Sequence, residues 1–233
     1  MKSTIVLSDL HLGGVISEKR KRALLKLFHE HDVIIFNGDF LDDFWDYRAT
    51  VRNNSVLFEA LKSKYIVYIF GNHDRDTSEL RAATDFFVNE YTDEYSVFAL
   101  DHEYKIQHGH AIYPRPDEIL YKTPTNIFQK MKQICAQGIW KVLYPVILWI
   151  RYRLEVFALT RALHRSIVAR QNIIMRNFAE KNMKENQVLL CGHSHFQQDF
   201  FDQKFINTGA NAYSRLEYLI ISSDGYRLVS ENI

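Results

Sequence analysis

The chain has 233 residues, 47% of them hydrophobic and 24% charged, with a formal net charge of +1 at pH 7. This composition suits one globular domain with a sizeable core, and it excludes a low-complexity chain or an array of internal repeats. Two cysteines, Cys135 and Cys191, are too few for a disulfide framework, which favours a reducing compartment. No apolar leader stands near residue 1, so we expect a cytoplasmic protein.

Four apolar, β-favouring runs are predicted to form buried strands, and a polar cluster follows each of them. The runs cover residues 4–7, 33–36, 65–70 and 187–190. In an open α/β sheet the strand ends open onto one crevice, so polar residues far apart in sequence can converge there. Four later segments are predicted to be antiparallel strands that complete a second sheet, namely residues 199–201, 204–207, 216–222 and 226–230.

Seven residues in five clusters supply carboxylate, amide and imidazole groups suited to metal binding. They are Asp9 and His11 in S-D-L-H, Asp39 in N-G-D-F, Asn72 in G-N-H-D, His108 in H-G-H, and His193 and His195 in G-H-S-H. Asp or Asn beside Gly after a strand is often only a turn residue. The complete ordered set instead predicts two metal ions that share a bridging carboxylate and hydrolyse a phosphate ester or anhydride.

This ordered pattern resembles that of the calcineurin-like metallophosphoesterases, D-x-H, G-D-x-x-D, G-N-H-[DE], H and G-H-x-H. The resemblance implies a four-layer αββα sandwich with a helical cap. It implies one metal ion on Asp9, His11, Asp39 and His195, and a second on Asp39, Asn72, His108 and His193. It also implies that a hydroxide shared by the ions is the nucleophile, and that His73, oriented by Asp42, is the general acid. We expect two divalent ions, Mn²⁺ first, with Fe, Zn²⁺ or Co²⁺ as alternatives.

A basic segment separates the H-G-H and G-H-S-H clusters. Residues 121–184 contain twelve Lys or Arg but two acidic residues, and apolar residues recur there at helical steps. The sequence therefore predicts one domain, residues 1–233, with a helical insertion at about 117–185. The apolar run at 142–150 is interrupted by Pro145 and is shorter than the ~20 residues that span a bilayer. The insertion could pack on the domain, lie on an anionic membrane surface or follow a nucleic-acid backbone.

In length, in this insertion and in the aromatic stretch at residues 40–45, the chain resembles the UDP-2,3-diacylglucosamine hydrolases of lipid A synthesis. It departs from them at His73, where they have Arg, and at Asp42, where they have Glu. The resemblance implies a lipid-linked or nucleotide-diphosphate substrate and a protein at the inner membrane face. The candidate substrate residues are Arg75, His110, Arg115, Trp149, Arg153 and Arg161. The alternatives are a metal-dependent nuclease or general phosphodiesterase, and a metal-free scaffold whose helical insertion binds a partner; the oligomeric state stays open.

Overall fold

The computed structural model describes residues 3–14, 16–43, 45–114, 158–211 and 215–233, and only the backbone of residues 158–168. The described helices are α1 (Glu18–Glu30), α2 (Tyr47–Asn53), α3 (Ser55–Glu59), α4 (Ser78–Thr84) and α5 (Ala158–Asn182). The described strands are β1 (Thr4–Leu7), β2 (Val33–Asn37), β3 (Tyr65–Ile69), β4 (Glu90–Thr92), β5 (Tyr95–Ala99), β6 (His102–Ile106), β7 (Gln187–Cys191), β8 (Gln198–Phe200), β9 (Phe205–Asn207), β10 (Arg215–Ser222) and β11 (Gly225–Asn232). Two short 3₁₀ turns cover Ala60–Ser63 and Phe201–Gln203.

These strands form two sheets. The first has the order β11-β10-β1-β2-β3-β4, in which β1 to β4 run parallel and β10 pairs antiparallel with β1. The second has the order β5-β6-β7-β9-β8, with β6, β7 and β9 parallel and antiparallel strands at both edges. The carboxyl ends of β1, β2 and β3 therefore share one edge of the first sheet, as those of β6 and β7 do in the second.

The apolar side chains of the strands point in alternation into two different cores, as the two-residue period of a strand requires. On β1, Val6 belongs to the core between the sheets, whereas Ile5 and Leu7 pack under α1 and α3. On the outer face of the second sheet, Met175 and Ala179 of α5 pack against β7 and β9. Helices thus cover both outer faces, which confirms the predicted αββα sandwich.

The last two strands differ from the prediction, because β10 and β11 extend the first sheet instead of the second. The segment that forms β10 is apolar on both faces. Leu216 and Tyr218 point into the helix-side core, and Leu219 and Ile221 point into the core between the sheets. This two-sided burial suits a position beside β1, and an alternation pattern alone does not specify which sheet a strand joins.

The chain divides into two compact units, Met1–Tyr113 with Gln171–Ile233, and Pro114–Arg170. The predicted insertion at about 117–185 stays a prediction, since most of it lies outside the described residues. The three-, four- and seven-residue steps of the apolar residues in this segment predict that Ile174 lies on the apolar face of a helix. That prediction is wrong, because Ile174 is exposed and its neighbour Met175 is buried. Among the described helices, none combines the length and the apolar character needed to cross a bilayer.

Candidate metal centre

Five of the seven predicted ligands lie two or three residues beyond the carboxyl ends of five strands, and His11 and His195 lie four residues beyond two of the same strand ends. Asp9, Asp39 and Asn72 follow β1, β2 and β3 of the first sheet. His108 follows β6 and His193 follows β7 of the second sheet. Backbone hydrogen bonds link neighbouring loops, because Asp9 N donates to Gly38 O at 3.1 Å and His11 N donates to Asp39 O at 2.8 Å. Both sheets therefore contribute to one cluster of side chains.

Five of the seven predicted ligands have a left-handed backbone conformation. Their φ angles are 52° at Asp9, 44° at His11, 52° at Asp39, 63° at His193 and 60° at His195. This conformation costs a residue with a Cβ roughly 1–2 kcal/mol, and it persists only where the surroundings enforce it. Its concentration in these three loops marks them as a functional site and not as ordinary turns.

The first group of donor atoms comes from Asp9, His11 and His195. His195 Nε2 lies 3.1 Å from Asp9 Oδ1 and 3.3 Å from His11 Nε2, and His11 Nε2 lies 4.0 Å from Asp9 Oδ1. His11 Nε2 is also 3.7 Å from Asp39 Oδ2. The donor atoms of this trio all lie within 4.8 Å of one another, a spacing at which one ion could contact all of them.

The second group comes from Asp39, His108 and His193, with Asn72 beside it. His108 Nε2 lies 3.3 Å from Asp39 Oδ2 and 3.2 Å from Asn72 Oδ1. Asp39 Oδ2 therefore faces His11 of the first group and His108 of the second. This is the position that a bridging carboxylate requires.

Hydrogen bonds fix which atoms of these side chains could bind a metal ion. Asp9 Oδ2 accepts from His193 N at 2.8 Å and from Ser8 Oγ, while Asp39 Oδ1 accepts from His73 N at 2.9 Å. The other oxygens, Asp9 Oδ1 and Asp39 Oδ2, are buried and accept no hydrogen bond from any described residue. A buried carboxylate oxygen without a donor is costly, and a cation removes that cost.

The imidazoles are oriented in the same way. The ring of His108 can donate through Nδ1 to Asn37 O at 2.9 Å, which turns Nε2 toward Asp39. The ring of His193 can donate through Nε2 to Tyr113 O at 2.9 Å, so coordination by this residue would use Nδ1. A second ring nitrogen held by a carbonyl is the usual arrangement of a metal-binding histidine. The donor set of the described residues thus fits divalent cations.

Charges within the cluster shift the pKa of several groups. Burial raises the pKa of Asp9, but the imidazoles of His195 and His108 outweigh it and hold that pKa below its usual range. Burial lowers the pKa of His11 to about 4, which keeps this ring neutral and able to coordinate. For His108 burial also lowers the pKa, but the negative charges of Asp39 and Asp9 outweigh it and raise the value to about 9. Without metal ions, the second group therefore carries a proton.

His73 lies beside both groups, with its ring centroid 5.0 Å from that of His11. Its Nδ1 is 3.7 Å from Asp42 Oδ1 and 3.7 Å from Asp43 Oδ1. Burial lowers the pKa of His73, but the carboxylates of Asp42 and Asp43 and the charge of Asp39 outweigh it and raise the value to about 11. The predicted partner, Asp42, is thus close to the ring, and Asp43 is an equally close partner that the motif does not indicate.

Asp74 supports the candidate site, although the sequence analysis did not single it out. Its carboxylate accepts hydrogen bonds from four backbone nitrogens and one phenol: Asp39 N at 2.9 Å, Phe40 N at 2.7 Å, Leu41 N at 3.3 Å, Gly71 N at 2.8 Å and Tyr68 Oη at 2.6 Å. These bonds fix the loops of Asp39 and Asn72 to each other. The sequence feature that could have identified Asp74 is its place as the last residue of G-N-H-D, two residues after the ligand Asn72.

The candidate substrate residues fall into two sets. Arg75 is exposed and donates through Nε to Asn72 O at 3.2 Å, and the ring of His110 lies 5.5 Å from that of His108. Both are therefore at the cluster. Arg115, Trp149 and Arg153 lie outside the described residues, as does the side chain of Arg161. Contact with substrate stays a prediction for all six residues.

A family model described as calcineurin-like phosphoesterase matches residues 2–197. The chain belongs to this family, and it is a metal-dependent hydrolase of phosphoric esters. No curated protein matches the chain.

Solved structures with a similar fold include Yfce, a phosphoesterase from E. coli, at 13% identity and a TM-score of 0.42 over 95% of this chain and 89% of that one. Pseudomonas putida nuclease MPE is 26% identical over 45% of this chain and 53% of its own, with a TM-score of 0.32. Vacuolar Protein Sorting 29 from Cryptosporidium parvum is 11% identical over 100% and 97%, with a TM-score of 0.41. At these TM-scores, none of the three bears on the substrate of this chain.

Proposed function

We propose that the protein is a dinuclear metal-dependent phosphoesterase or pyrophosphohydrolase whose metal ligands are Asp9, His11, Asp39, Asn72, His108, His193 and His195. The observation that carries the proposal is the pair of buried carboxylate oxygens, Asp9 Oδ1 and Asp39 Oδ2, which accept no hydrogen bond from the described residues and face imidazole nitrogens. When bound, two divalent ions lower the pKa of a water molecule and polarise the phosphoryl oxygens. We expect Mn²⁺, with Fe, Zn²⁺ or Co²⁺ as alternatives.

The residues of the chain supply the remaining parts of the reaction. His73, held in its charged form by Asp42 and Asp43, donates a proton to the leaving-group oxygen or a hydrogen bond to the phosphoryl group. Asp74 keeps the loops of Asp39 and Asn72 in register, so their donor atoms stay in place when substrate binds.

The substrate that we propose is a lipid-linked or nucleotide diphosphate such as UDP-2,3-diacylglucosamine, hydrolysed in the cytoplasm at the inner membrane face during lipid A synthesis. Support comes from the aromatic stretch at residues 40–45 and from the basic, apolar segment between the H-G-H and G-H-S-H clusters. The same basic segment would also suit a nuclease or general phosphodiesterase. A metal-free scaffold is disfavoured because it has no need of seven converging ligands, five of them in a strained backbone conformation.

The experiment compares two substrates on protein reconstituted with Mn²⁺ in detergent, UDP-2,3-diacylglucosamine and bis-p-nitrophenyl phosphate. Asp39→Asn serves as the control, because a neutral amide cannot replace a charged carboxylate that bridges two ions. We expect the wild type to prefer the lipid and the variant to hydrolyse neither. Hydrolysis of the diester alone would exclude the lipid substrate but keep the phosphoesterase. No hydrolysis and no stoichiometric metal would overturn the proposal.

The role of His73 is tested with leaving groups of different pKa. A general acid matters most when the leaving group is a poor one, so His73→Ala should reduce the rate much more for an alkyl phosphodiester than for a p-nitrophenyl ester. Equal losses for the two esters would assign His73 to phosphate positioning instead of proton transfer.

A further inference from the structure

The loop that carries His193 and His195 lies on a network of three buried side chains, Asn172 of α5, Ser194 of the loop itself and Asn207 of β9. All three are completely buried, with 0% of their surface exposed. None of them belongs to the metal-binding pattern. Their positions in three separate elements mean that the network forms only when α5, the loop and β9 have packed together.

This loop needs support, because both of its histidines have left-handed backbone conformations, with φ of 63° and 60°. Ser194 stands between the two and is itself fixed by hydrogen bonds to the network. Its neighbour Gly192 lies so close to Ser8 and Asp9 that a Cβ there would collide with both side chains. The loop is therefore in close contact with the residues that follow β1 on one side and is held by the network on the other.

Asn172 uses its full hydrogen-bonding capacity on the loop and its surroundings. Its Oδ1 accepts from Ser194 Oγ at 2.7 Å and from Asn207 Nδ2 at 3.0 Å. Its Nδ2 donates to Phe196 O at 2.9 Å and to Gln198 Oε1 at 2.7 Å. The side chain thus holds residues 194 and 196, the two neighbours of His195, without touching the ligand itself.

Asn207 holds the other end of the loop. Its Nδ2 donates to Gly192 O at 2.7 Å and is 3.1 Å from Ser194 Oγ, and its Oδ1 accepts from Gly209 N at 2.9 Å. With Gly192 and Ser194 both fixed, His193 is held between two anchored residues. The two asparagines divide the task, because Asn172 brackets His195 and Asn207 brackets His193.

We propose that Asn172 is a positioning residue for the metal centre, acting through Ser194 and Phe196 to set the backbone conformation of His195. The inference rests on the proposed function, since it assigns His193 and His195 to the metal ions. It assigns to α5 a part in the reaction that the metal-binding pattern does not contain. Loss of the Asn172 side chain relaxes the loop and moves the His195 donor atom away from Asp9 and His11.

The test compares Asn172→Ala with Asn177→Ala on the same helix. Asn177 is exposed, and its side chain accepts from Arg176 at 3.3 Å, so it is a matched control outside the network. Mn²⁺ affinity is measured by calorimetric titration, and kcat and KM are measured with bis-p-nitrophenyl phosphate. Loss of a residue that orients a metal ligand typically costs 10–100-fold in metal affinity or activity. We expect a loss of this size in affinity and kcat for Asn172→Ala, a KM within about twofold, and no change for Asn177→Ala.

A second readout does not depend on metal. In metal-free protein, ring ¹⁵N spectra should show displaced signals for His193 and His195 in Asn172→Ala and unchanged signals for His11. Ser194→Ala, a smaller deletion in the same network, replaces Asn172→Ala if the latter does not fold, and it should displace the same signals. Wild-type affinity and unmoved histidine signals in a folded variant would overturn the inference. Displaced signals in a protein whose wild type binds none of Mn²⁺, Fe, Zn²⁺ and Co²⁺ would support the positioning role and reject the proposed function.

Discussion

Gly71 lies between β3 and Asn72, and substituting it by alanine tests whether the position of Asp39 decides metal binding. A Cβ at this residue would overlap the backbone nitrogen and Oδ1 of Asp39 and lie 2.8 Å from Asp74 Oδ1. Real Cβ atoms essentially never approach a heavy atom within 3.0 Å, so the Asp39 backbone must move by about half an ångström or more. Asp39 cannot move alone, because its backbone N–H donates a hydrogen bond to Asp74 Oδ1.

The magnitude follows from these contacts. Overpacking of this kind costs about 1–3 kcal/mol of folding free energy. For a chain of this size, each kcal/mol of lost folding free energy lowers Tm by roughly 2–4 °C. A displacement of about half an ångström also exceeds the tolerance of a metal-binding constellation, so the affinity for Mn²⁺ should fall at least tenfold.

Gly225→Ala is the matched control. Gly225 has a φ of 110°, so alanine is strained there too, but among the described residues its Cβ would meet only the side chain of Leu100, at 3.3 Å. It pairs with Ser222 beyond the amino end of β1, whereas the metal cluster lies beyond the carboxyl end. Thermal unfolding with and without Mn²⁺ should show both variants destabilised, and only Gly71→Ala should lose the stabilisation by metal. A Gly71→Ala variant with wild-type metal affinity would refute the reasoning.

Three further predictions concern charge. Asp39→Asn should remove the rise in Tm that Mn²⁺ produces. For the wild type, a free Mn²⁺ concentration of 100 times the Kd stabilises the fold by about 2.7 kcal/mol. An equal rise in Tm in the variant would contradict the bridging role. Because the pKa of His108 is raised to about 9 and a ligand must be neutral, apparent Mn²⁺ affinity should increase with pH up to about 9, as titrations in a pH series would show; a constant affinity from pH 7 to 9 would count against it. The pKa of His73 is raised from 6.5 to about 11, so its charge stabilises the metal-free fold fully below pH 6.5, and that stability is lost as pH rises toward 11. His73→Gln should therefore lower Tm most at or below pH 6.5 and progressively less above it; a pH-independent difference would show that the charge does not matter.

Four of the five strands that carry the ligands were predictable, because each is an apolar run that ends two or three residues before a ligand. The fifth, β6 before His108, was not predicted, because its sequence H-E-Y-K-I is not an apolar run. The convergence of their ends follows from the geometry of parallel sheets, and the structure places Asp9, Asp39 and His108 accordingly. The membership of β10 in the first sheet was not predictable, since an apolar strand of eight residues fits beside either sheet.

The residues that support the ligands also could not be predicted from the sequence. Asp43 lies close to His73, and Asn172 has its proposed role at His195, only because the fold brings together residues that are far apart in the chain. Asn and Asp are common turn and surface residues, so their types give no warning. Only the packing of α5 on β7 and β9 turns Asn172 into a buried partner of the loop.

The division of the ligands between the sheets also bears on how the chain folds. A metal ion held by Asp9 and His195, as we propose, would join loops that follow the first and the last of the ligand-bearing strands, so the native topology would have to be nearly complete before it could bind. Such an ion contributes little to the folding transition state and chiefly slows unfolding. Bound metal should therefore prolong the lifetime of the native state more than it speeds the formation of that state.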